Sequence, residues 1–127
     1  MKILDELYYT KSHEWIKFLD DETALIGISD HAQEQLGDIV FVNLTDVDTS
    51  LSLGDTIGDI ESVKAVSDVY SPLAGTILKI NETLFDQPEL INQDAYDAWF
   101  IELGNITDKS NLLTAKEYEA LIQSEEH

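Results

Sequence analysis

Cysteine is absent from this sequence, which excludes disulfide frameworks, thiolate zinc sites and a cysteine nucleophile, and is compatible with a reducing compartment. Basic residues are scarce: seven against 26 acids, all seven of them lysine, for a net charge of −19. Such a surface repels phosphate backbones and anionic membranes, so neither nucleic acid nor membrane is an expected partner. It favours encounter with basic surfaces on other proteins, and it also keeps a small protein soluble. No stretch approaches the roughly 18 apolar residues of a membrane span, and the opening Met1-Lys-Ile-Leu-Asp-Glu6 lacks the apolar run of a signal peptide; the expected location is cytoplasmic. There is no Gly-x-Ser-x-Gly elbow and no phosphate-cradling glycine loop. Acids at 46 and 48 fail as a calcium loop, because Leu51 and Ile57 stand where a glycine and a glutamate are needed. His13, His31 and His127 lack the short spacing that places two imidazoles on one metal, so they read as structural or exposed, with no metal site. The chain reads as something other than an enzyme.

What is present is a globular composition, 43% hydrophobic and 26% charged over 127 residues, with no linker or low-complexity tract, and one domain over 1–127 is expected. Thr23–Ile28, Ile39–Val42 and Gly75–Ile80 are β-branched or aromatic runs too short for helices, and Gly-Asp pairs at 37–38, 54–55 and 58–59 predict bends. Several such runs predict an antiparallel or mixed β-sandwich or barrel. Ser29 predicts the cap of a short helix to about Leu36, with Gly37 stopping it in the left-handed conformation. Thr114-Ala-Lys-Glu117 is a capping box, followed by Tyr118, Leu121 and Ile122 on one helical face that packs on the sheet. The stretch 81–97 reads as an ordered surface loop, and the tail at 125–127 as frayed.

Lys64 stands alone among apolar neighbours in Glu61-Ser-Val-Lys-Ala-Val-Ser-Asp68. Two strand-like arms, 56–63 and 65–72, meet at it, which predicts a hairpin tip that projects its side chain toward large partners. Surface turns favour Gly, Asn and Asp, so Val63 and Ala65 beside an exposed lysine suggest contacts for another molecule, the alternative being that Val63 and Val66 pack inward.

The motifs Tyr9-Thr-Lys-Ser-His-Glu-Trp15, Gly27-Ile-Ser-Asp-His-Ala-Gln33, Leu36-Gly-Asp-Ile-Val-Phe-Val42, Glu61-Ser-Val-Lys-Ala65, Tyr70-Ser-Pro-Leu-Ala-Gly75, Pro88-Glu-Leu-Ile-Asn92 and Ala115-Lys-Glu-Tyr118 run through the chain in this order. With them the sequence resembles the H proteins of the glycine cleavage system over nearly its whole length. The resemblance implies a mainly β, barrel-sandwich hybrid fold of the lipoyl and biotinyl carrier kind, with a short internal helix and a C-terminal helix. It implies lipoic acid in amide linkage to Lys64, with Val63 and Ala65 flanking the attachment point, and with Glu61 and Gly75 at positions that help the lipoylating enzyme recognise the hairpin and that shape its fold. Ser12, Glu14 and Asp68 would line a cleft protecting a loaded, cationic aminomethyl arm, and His13 would shape it.

The implied partners are the pyridoxal-phosphate glycine decarboxylase (P protein), the tetrahydrofolate-dependent aminomethyltransferase (T protein), dihydrolipoamide dehydrogenase (L protein) and lipoylating enzymes, met by a monomeric carrier. Thr45-Asp-Val-Asp48, Ala95-Tyr96 and Ala98-Trp99 depart from the family's turn residues. A lipoyl carrier or relay for 2-oxoacid dehydrogenases is the nearest alternative, although such domains favour Asp-Lys-Ala. A biotin carrier would want Met on both sides of the lysine. An unmodified acidic β-module that binds proteins is the alternative from another class.

Overall fold

The computed structural model describes residues 2–125; the expectation of a frayed tail falls, for Glu126 and His127, outside them. The elements run β1 (Tyr8–Tyr9), β2 (Glu14–Phe18), β3 (Ala24–Ile28), α1 (Asp30–Leu36), β4 (Ile39–Leu44), β5 (Ser50–Leu51) and β6 (Thr56–Ser62). They continue with β7 (Val66–Tyr70), β8 (Leu73–Ile80), α2 (Thr83–Asp86), α3 (Leu90–Gln93), β9 (Ile101–Lys109) and α4 (Ala115–Glu125). A six-stranded sheet has the order β1-β2-β3-β9-β8-β5, and a three-stranded sheet the order β4-β6-β7. Every strand pair is antiparallel. The chain passes repeatedly from one sheet to the other, and neither sheet closes on itself, which is the barrel-sandwich hybrid the resemblance implied.

The two sheets share one core. Ile26, Ile77 and Leu103 of the large sheet meet Val42, Ile60 and Val69 of the small one, all removed from water, and their burial is the main drive for closing the sandwich. A second cluster on the other face of the large sheet holds Leu7, Tyr9, Trp15, Tyr118 and Ile122. β2 is therefore covered on both faces, Ile16 toward the first cluster and Trp15 toward the second, which explains a buried run where a half-exposed strand would alternate. The expected docking of the C-terminal helix is found: the Tyr9 and Tyr118 rings stack at 4.4 Å, and Ile122 lies on the same helical face.

Both predicted caps form. Ser29 Oγ accepts from the Ala32 N–H at 3.2 Å. Thr114 N–H donates to Glu117 Oε1 at 2.9 Å while Glu117 N–H donates to Thr114 Oγ1 at 3.2 Å, satisfying two end donors reciprocally. Gly37 does take a positive φ of 78°, but with ψ at −158° it leaves the helix extended and not left-handed helical.

Two expectations are corrected. Gly58-Asp59 is no bend but lies inside β6, where a Cβ on Gly58 would stand 2.1 Å from the Asn43 carbonyl oxygen; the glycine serves close approach of β4 at a register shift. The stretch 81–97 is not one loop, because α2 and α3 each make a single turn there, pinned by buried Leu84 and Ile91.

Candidate carrier lysine and adjoining cleft

The β6–β7 hairpin pairs Glu61 with Val66, Ile60 with Ser67 and Asp59 with Asp68, leaving Val63, Lys64 and Ala65 as its tip. Ser62 organises that tip. Its N–H donates to the Ala65 carbonyl at 2.8 Å, and its Oγ accepts from the N–H groups of Lys64 at 3.2 Å and Ala65 at 3.1 Å. A local side-chain acceptor thus satisfies donors that no strand partner reaches. The tip is also tethered to the body, since Val63 N–H donates to the Asp38 carbonyl at 3.0 Å. The Lys64 methylenes lie over Gly37, where a Cβ would stand 3.2 Å from Cε. Val63 and Val66 are 67% and 68% exposed, so the alternative that they pack inward is corrected: the alternation in β7 gives the core-facing position to Val69.

Around the lysine the outer face of the small sheet carries two cross-strand rows. Phe41, Glu61 and Val66 form the first, Asn43, Asp59 and Asp68 the second. Glu61 is therefore an acid set between two exposed apolar side chains. Val40 and Phe41 are half-exposed or more, which extends the apolar surface beside Val63 and Val66. Asn43 Nδ2 donates to Asp59 Oδ1 at 3.0 Å. Asp68 faces Asp59 directly, a like-charge pair that carries an energetic penalty.

The cleft lies at the seam of the two sheets. Glu14 is 2% exposed, and its Oε1 accepts from Thr10 Oγ1 at 2.7 Å and from Ser12 Oγ at 2.6 Å. The other oxygen, Oε2, lies 3.5 Å from the Tyr70 N–H, which donates to it. Burial pushes the Glu14 carboxyl above its ordinary value, against the hydrogen bonds from Ser12 and Thr10 that pull it down. The groove beside it has a volume of about 160 Å³ and opens to solvent, with Tyr70, Ser71, Pro72, Gly54 and Ser110 completing its walls. A small cationic group would find there one buried carboxylate and two hydroxyls.

The structure thus joins Ser12 and Glu14. Asp68 stands apart from the walls, two residues along β7 from Tyr70 and so on the same strand face. Gly75 belongs to neither site: it sits in β8, where a Cβ would be 2.5 Å from the Gly104 carbonyl oxygen, and it serves strand packing. His13 does not face the cleft either; its ring turns to Tyr118 and His31. The reading from spacing kept the histidines apart, yet the fold brings these two together. Thr10 and Tyr70 were not foreseen. The alternation Thr10-x-Ser12-x-Glu14 was a signal for the first; for Tyr70 there was none, since its backbone is what contacts Glu14.

The family model described as Glycine cleavage H-protein matches residues 7–125. The chain is 49% identical over 125 residues to the glycine cleavage system H protein of Lachnoclostridium phytofermentans, covering 98% of each. It is 52% identical over 117 residues to that of Psychrobacter cryohalolentis, covering 90% of this chain and 93% of the other. The crystal structure of a glycine cleavage system H protein from Mycobacterium marinum superposes with a TM-score of 0.90 at 36% identity, over 95% of this chain and 99% of that one.

Proposed function

This chain belongs to the glycine cleavage H-protein family, and from that premise we propose that Lys64 is its lipoyl attachment point and that Glu14, with Ser12 and Thr10, shelters the cargo. The protein is a carrier of glycine cleavage that works with the other components of that system, and not itself a catalyst. The observation that carries the site assignment is the exposed lysine on a tip held by Ser62 and tethered through Val63 to Asp38. An enzyme acylating Nζ needs a side chain that enters its own active site, and this one lies on a projecting turn with uncharged neighbours.

When bound, the lipoyl group supplies dithiolane redox and transfer chemistry that these side chains lack. The chain's own residues position and protect. Glu61, between Phe41 and Val66, offers the lipoylating enzyme a charged landmark within an apolar patch, with Val63 and Ala65 keeping the approach unhindered. Tyr70 lies six positions after Lys64, at most roughly 20 Å away at strand rise, the last part of it along β7. Across that span Asp68 marks the path from tip to cleft, and there the Glu14 carboxylate and the Ser12 and Thr10 hydroxyls would hold a cationic amine. The same proposal makes residues 1–127 one monomeric, cytoplasmic carrier domain, and takes the glycine decarboxylase, the aminomethyltransferase and dihydrolipoamide dehydrogenase as its successive partners.

The test is Lys64→Arg, which keeps the cation but cannot be acylated by the ligase. Incubated with a lipoyl ligase and donor, the native chain should gain one lipoyl mass at Lys64 and support glycine cleavage with the three enzymes. The variant should gain none and support only background turnover. Turnover retained by the variant, or a native lysine left bare while the fold is intact, overturns the assignment. Activity with a 2-oxoacid dehydrogenase in place of glycine cleavage would shift the partner set.

A further inference from the structure

On the side of β2 away from the cleft, His13 and His31 face each other with ring centroids 5.0 Å apart. His31 is 4% exposed, and its Nε2 is sealed from solvent with no hydrogen-bond partner among the described residues. An imidazole nitrogen left so in a buried setting forfeits the interaction it would have in water, a cost that natural interiors rarely retain. Glu125, at the last turn of α4, brings Oε2 to 3.3 Å from His13 Nε2. One ligand atom from each of His13, His31 and Glu125 lies within 4.8 Å of the others.

The geometry points to a binding site for a divalent transition-metal ion of the zinc class, held by His13, His31 and Glu125. Two imidazoles and a carboxylate are the donor set that suits Zn²⁺ and Co²⁺, and three protein ligands leave a position for water. Ligands about 2.0–2.1 Å from a tetrahedral ion stand roughly 3.3–3.4 Å from one another. The His13 to Glu125 separation already has that value, and Glu125, 41% exposed on a helix end, has the freedom to swing toward His31.

The surroundings fix the ring of His13 in the needed sense. Its Nδ1 is 2.8 Å from the Tyr118 hydroxyl, which is 2.6 Å from Ser29 Oγ. With Nδ1–H donating to Tyr118 and Tyr118 donating to Ser29, Nε2 is left with its lone pair directed at the gap, the arrangement that orients metal-bound histidines generally. A bound ion would tie α4 to α1 and to the turn that carries Ser12 and Glu14.

The test titrates the untagged full chain with Co²⁺ or Zn²⁺ alone, by calorimetry and by the visible spectrum of Co²⁺. One ion per chain is expected, with the intense absorption of low-coordinate cobalt bleached by Zn²⁺. Glu125→Gln, a change at an exposed position, should weaken binding at least tenfold. His127→Ala should leave it unchanged. In the native chain, Zn²⁺ should shift the Nε2 resonances of His13 and His31 while Nδ1 of His13 stays protonated, a readout that needs no variant to fold. The site is overturned if no saturable one-to-one binding occurs, if affinity follows His127 instead of Glu125, or if both Nε2 resonances stay in place.

Discussion

Gly27 faces Trp15 across the β2–β3 pair so closely that a Cβ would stand 2.7 Å from the indole ring. Trp15 cannot retreat, because it is buried and its Nε1–H donates to the Ala95 carbonyl at 3.0 Å. Gly27→Ala should therefore destabilise by about 1–3 kcal/mol, the range for overpacking a filled core, read as a lower urea midpoint at unchanged slope. Gly75→Ala should likewise lower stability, through the Gly104 carbonyl. The folded fraction of that variant should still be lipoylated at the native rate, whereas a recognition role for Gly75 demands a slower one. At this scale the sequence was informative where a residue type was out of place in its neighbourhood, as Lys64 was. It was silent where the function of a residue is to be absent from a contact, as with Gly75, or to lend its backbone, as with Tyr70.

A hairpin tip is only as defined as its few hydrogen bonds, and here Ser62 supplies most of them. Ser62→Ala should leave global stability within about 1.5 kcal/mol, the range for a hydrogen-bonding side chain of this kind. It should speed amide exchange at Lys64 and Ala65 and slow acylation of the lysine by raising the KM of the ligase. At the other end, Thr114→Ala removes half of the capping box and should cost about 1 kcal/mol, seen as a lower thermal midpoint. The caps of α1 and α4 were readable because they depend on residues three apart in the chain. The single turns α2 and α3 were not: four residues are too few to establish a period, and what holds them is the burial of Leu84 and Ile91, with α2 against β4 and α3 against α1, far along the chain.

Over the whole molecule the charge of −19 acts at a distance. If partner enzymes present basic docking surfaces, the rate of encounter should fall as ionic strength rises and the screening length shrinks from about 10 Å at 0.1 M to about 3 Å at 1 M. Measured as kcat/KM of glycine decarboxylation with this chain as the varied substrate, a flat salt profile would count against electrostatic steering. The class of fold was legible from short β-branched runs, but the exchange of strands between two sheets was not, since which sheet a strand joins depends on contacts far along the chain. The large sheet terminates in β1 and β5, each only two residues long. Stubs of that length present few unpaired backbone groups, so where β1 and β5 cover β2 and β8 there is little edge for a neighbouring copy to extend.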